Sequence, residues 1–81
     1  MAKNEKRFTT LDLYLSAFLL ICGIQPELEV NNGRVIFTFL ANGALYEAIM
    51  LYNSNTEVHV ADFVTATKTL KGQMLTLRDR K

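Results

Sequence analysis

Tryptophan is absent from this 81-residue chain, and cysteine, proline and histidine occur once each. The single cysteine, Cys22, excludes an intramolecular disulfide, so the fold rests on its core and a reducing cytoplasm is the expected compartment. One cysteine and one histidine are too few for a structural zinc site within one chain. They would have to meet in space to make a thiol nucleophile and its base. Cys22 closes an apolar stretch, where a buried, inert thiol is expected, and His59 reads as a helix cap or surface residue. The four glycines, Gly23, Gly33, Gly43 and Gly72, are scattered, which leaves no phosphate-cradling loop. Ser16 and Ser54 have no nucleophile motif around them. Glu27 and Glu29 share the solvent side of one strand, as an edge or solubility device and not as an acid–base pair. The expectation is a protein that is not an enzyme, with no catalytic, cofactor-binding or metal-binding residues and no small-molecule substrate.

Long apolar runs are missing too. The charge-free stretch Leu13 to Pro26 is 14 residues, interrupted by Ser16, Gly23 and Gln25, against the ~20 that a membrane span needs. A secretory or lipoprotein signal is disfavoured by Asp12 in the approach and by bulky Ile21 before Cys22. What is present is a globular composition, 49% hydrophobic and 21% charged, well away from disorder.

Residues 1–7 are polar without periodicity and read as a frayed terminus, followed by one α+β domain over residues 8–74. Thr9 with Asp12 spells a capping box, predicting a first helix from about Thr10 to Cys22 with Gly23 as its left-handed cap. That helix is apolar nearly all round and must be covered nearly all round. After Pro26, Glu27-Leu28-Glu29-Val30 alternates as a strand. With Asn32-Gly33 as a type I′ turn, Val30 pairs with Val35, Leu28 with Phe37 and Pro26 with Phe39, all on one face, while Glu27, Glu29, Ile36 and Thr38 take the other. Asn42 caps a second helix running to about Asn53. A third begins near Val60 and carries Phe63, Thr67, Leu70 and Met74 on one face, with Gly72 marking a stop near there. Residues 75–81 are either a short edge strand or a basic tail. The order is α-β-β-α-α, an antiparallel hairpin packed on helices.

Phe8-Thr9-Thr10-Leu11-Asp12-Leu13-Tyr14-Leu15-Ser16-Ala17, the run Arg34 to Phe39, and Leu70-Lys71 resemble a family of short uncharacterised bacterial and phage domains of unknown function. Its members open Phe-x-Thr-x-Asp-Leu-Tyr-Leu and close on a helix ending Leu-Lys, and Ser16 stands where the pattern more often has Ala. The resemblance spans roughly residues 8 to 73. It implies the same element order, a phage or mobile-element association, and no assigned activity.

Two binding expectations remain. Apolar residues beyond what a small core needs, Leu13, Leu20, Ile36, Leu40, Leu75 and Leu77, point to a protein-interaction or self-associating module, with a homodimer as one form. The alternative comes from charge, which sums to +2 over residues 1–10, −5 over 11–67 and +4 over 68–81. Lys68, Lys71, Arg78, Arg80 and Lys81, joined by Lys3, Lys6 and Arg7 if the termini meet, make a candidate nucleic-acid contact, although no stacking aromatic occurs among them.

Overall fold

The structure, a computed structural model, describes residues 6–79. Its elements are β1 (Arg7–Thr10), α1 (Leu13–Ile21), β2 (Glu27–Asn31), β3 (Arg34–Leu40), α2 (Gly43–Asn53) and α3 (Val60–Arg78). The strands form an antiparallel sheet in the order β1-β3-β2. All three helices pack on one face of it, and a thickness of 18 Å matches one sheet layer under one helix layer. The fold class is α+β, and the predicted α-β-β-α-α succession is present behind one strand that the sequence reading did not assign.

That strand is β1. Phe8 pairs with Phe39 and Thr10 with Phe37, which makes β3 the central strand and takes Arg7 into the sheet instead of the loose terminus. Residues 1–5 lie outside the described residues. The entry to α1 changes accordingly. Thr9 does not cap the helix; Asp12 does, its Oδ1 accepting from the amides of Tyr14 at 3.0 Å and Leu15 at 3.1 Å, while Thr10 Oγ1 accepts from the Asp12 amide. Thr9 and Thr10 are extended because β3 offers them a ladder. The exit of α1 is as expected. Gly23 has φ +87°, its amide donates to the Leu20 carbonyl, and the Ile24 amide donates to Leu19, the paired bonds of a Schellman cap.

The β2–β3 register is the predicted one, with Val30 opposite Val35 and Leu28 opposite Phe37 around Asn32 (φ 55°) and Gly33 (φ 80°). The ladder starts at Glu27, so Pro26 stands just outside it. Asn42 caps α2 through a 2.9 Å bond from the Leu45 amide. Gly72 does not stop α3, and residues 75–78 are neither an edge strand nor a tail: the helix continues to Arg78 because Met74 and Leu77 each bury part of their side chains beyond it.

Phe37 and Phe39 point inward from β3 and are fully covered by Leu15, Phe18 and Leu19 of α1, Leu45 and Ala48 of α2, and Ala66 and Leu70 of α3. Five consecutive residues of α1, Leu15 to Leu19, are buried. At 100° per residue they sweep more than a full turn, so this helix is enclosed as its composition requires. Ser16 is among them and is satisfied, its Oγ donating to the Asp12 carbonyl at 2.9 Å.

Candidate interaction surfaces

The six apolar candidates do not form one patch. Leu13 and Leu20 pack against the core and complete it. Ile36 and Leu40 sit on the face of β3 turned away from the helices, where Leu40 is 42% exposed. Leu75 is exposed on α3, and Leu77 is half-buried, facing β2 across a groove of about 620 Å³ that Pro26 and Leu28 line from the other side.

Among the described residues no helix covers the outer sheet face. Alternation along the strands puts Arg7, Thr9, Glu27, Glu29, Ile36, Thr38 and Leu40 on it. Arg7 Nη1 and Glu27 Oε1 meet at 3.3 Å across the central strand, and beneath that bridge Thr38 is buried although it faces away from the core. Next to it lies a hollow of about 480 Å³ lined by Thr9, Leu11, Ile36 and Arg34. Leu11 is 54% exposed there. Sequence reasoning missed Leu11, because its placement follows only once β1 is known to be a strand.

Of the basic candidates, Lys68, Lys71 and Arg78 are exposed on α3, while Arg80 and Lys81, like Lys3, lie outside the described residues. At 100° per residue, Lys68, Lys71 and Arg78 fall within roughly 80° of one another, together with exposed Val64 and Leu75. Packing of α1 on α3 then adds a group that the sequence did not place here. The Tyr14 ring stacks on Phe63, centroids 6.1 Å apart and planes 24° from parallel, and the pair shares a hollow of about 250 Å³ with Val64, Thr67, Lys68 and Lys71. Tyr14 is 54% exposed.

Cys22 is not the buried thiol expected; it is the exposed C-cap of α1. Partial desolvation still pushes its thiol above the ordinary value, which disfavours the thiolate. His59 occupies the N-cap position of α3, but its side chain makes no capping bond. Desolvation, with a smaller push from the Asp12 carboxylate, raises the Tyr52 phenol in the same direction. Among the described residues no three metal-ligating side chains come together, and no helix is long and apolar enough to cross a membrane.

Over residues 5–76 the chain matches a family model described as Domain of unknown function (DUF5659). The chain belongs to this family. The resemblance read from the sequence, to a family of domains of unknown function, is met. The DUF5659 span takes in all three strands, α1, α2 and most of α3, so both the bare sheet face and the Tyr14 hollow lie within it. No curated protein and no solved structure matches the chain.

Proposed function

We propose that the protein is a non-enzymatic interaction module whose partner is a second copy of itself, docked through the outer sheet face. The observation that carries this reading is a three-stranded sheet that, among the described residues, has helices on one side only, its other side exposing Leu11 and Leu40 and part of Ile36. The face also carries both signs, Arg34 near the turn and Glu29 on β2, as a self-complementary surface requires. Its size sets the strength. Three strands ~4.8 Å apart and up to seven residues long at ~3.4 Å each present roughly 350 Å² in projection, well short of the ~800 Å² per partner of a standard interface. Association through this face alone is therefore weak and concentration-dependent.

Sedimentation velocity of the full chain from ~10 µM to ~1 mM tests it. The sedimentation coefficient should rise with concentration, and Ile36→Lys with Leu40→Glu should hold it at the monomer value without altering the circular dichroism. A single monomeric species throughout would remove self-association from the reading.

A further inference from the structure

We infer that the hollow formed by Tyr14, Phe63, Lys68 and Lys71 is a binding site for single-stranded nucleic acid, one base stacking on Tyr14 and the adjoining phosphates lying along α3. Single-strand sites pair cations that follow the backbone with aromatic rings on which bases stack. Both parts are present within one hollow. Phe63 supports the Tyr14 ring at 6.1 Å in a near-parallel stack, and the exposure of Tyr14 leaves ring surface for a third member of that stack. Lys68 and Lys71 line the same hollow, and neither is held by a carboxylate among the described residues. Arg78 continues the cationic side, about 15 Å along the helix from Lys68, the reach of a few nucleotides.

Among the described residues no acidic side chain lines the hollow. Asp62, one residue before Phe63, projects to the opposite side of α3 from Lys68 and Lys71. Asp12 is committed to the Tyr14 and Leu15 amides. Asp79 is the C-cap of α3, beyond Arg78. Thr67 also lines the hollow, and its Oγ1 is buried without a hydrogen-bond partner among the described residues. A duplex hides its base faces, so the aromatic half of the site selects single strands.

Fluorescence anisotropy of a labelled twelve-nucleotide thymidine oligomer and of a twelve-pair duplex, each titrated with the full chain at ~50 and ~200 mM salt, tests the site. The single strand should bind more tightly than the duplex. Tyr14→Leu should weaken single-strand binding on the order of tenfold and leave its salt dependence unchanged, while Tyr14→Phe restores it. Lys68→Gln with Lys71→Gln should flatten the slope of log affinity against log salt by about 1.4. Circular dichroism should be the same for all these variants, whose changed side chains lie at the surface. Absence of binding at the lower salt, duplex binding as tight as single-strand binding, or an unaffected Tyr14→Leu variant would each overturn the inference. None of these outcomes bears on self-association through the sheet, which uses the other side of the molecule.

Discussion

Asp12 governs the junction between sheet and helix with one carboxylate oxygen. It accepts from two first-turn amides, and its own carbonyl takes both the Ser16 amide and the Ser16 hydroxyl. Thr9, three residues earlier, has the sequence credentials of a cap but is spent on pairing with Thr38. Asp12→Ala should therefore cost about 1 kcal/mol in urea unfolding, and Thr9→Ala should cost clearly less. Equal losses would mean that strand and cap had been assigned the wrong way round. The same competition explains why residue patterns misled at this point. Threonine favours both an N-cap and a strand, and a four-residue strand with one apolar member shows too little alternation to break the tie.

Among the elements, the β2–β3 hairpin and α2 were legible because two independent signals agreed at each. Asn32-Gly33 fixes a turn whose register also sorts the apolar residues to one face, and Asn42 precedes a helical stripe. Helix α3 was legible at its start and not at its end. Gly72 costs a helix roughly 1 kcal/mol relative to alanine, which suggests a stop when read alone, yet burial of Met74 and Leu77 beyond it outweighs that amount. Apart from its chain neighbours and the backbone of its own helix, no atom among the described residues lies within 4 Å of where a Cβ on Gly72 would sit. Gly72→Ala should therefore stabilise the protein by about 0.5–1 kcal/mol, read as a higher urea midpoint; a loss of stability would place the end of α3 nearer residue 72.

Across the whole molecule, the two candidate surfaces differ in how far they could be read in advance. Ile36 and Leu40 follow from strand alternation. Tyr14 and Phe63 are far apart in the chain, and only the packing of α1 on α3 brings their rings together, so no local pattern announces the pair. Both surfaces hang on one small core. A chain of this size has a total stability of about 4–12 kcal/mol, and truncating a fully buried phenylalanine costs about 3–5 kcal/mol. Phe37→Ala, at the centre of the middle strand, should remove much of the cooperative unfolding transition by heat, whereas Leu40→Ala on the bare face should shift it little. Similar shifts for the two would contradict the one-sided core.

Position β3 between two flanking strands also has a protective meaning. Val35 to Leu40 is six residues of strongly strand-forming side chains with no charge, proline or glycine, the kind of segment that stacks with copies of itself when its edge is open. In the folded chain β1 occupies one edge and β2 the other. β2 is tethered by a two-residue turn and re-forms its ladder locally; β1 reaches its place only by closing a loop through the whole of α1 and the hairpin. The few residues from Arg7 to Thr10 thus guard the molecule against fibril growth, and any cleavage or fusion that loosens them uncovers its most aggregation-prone segment.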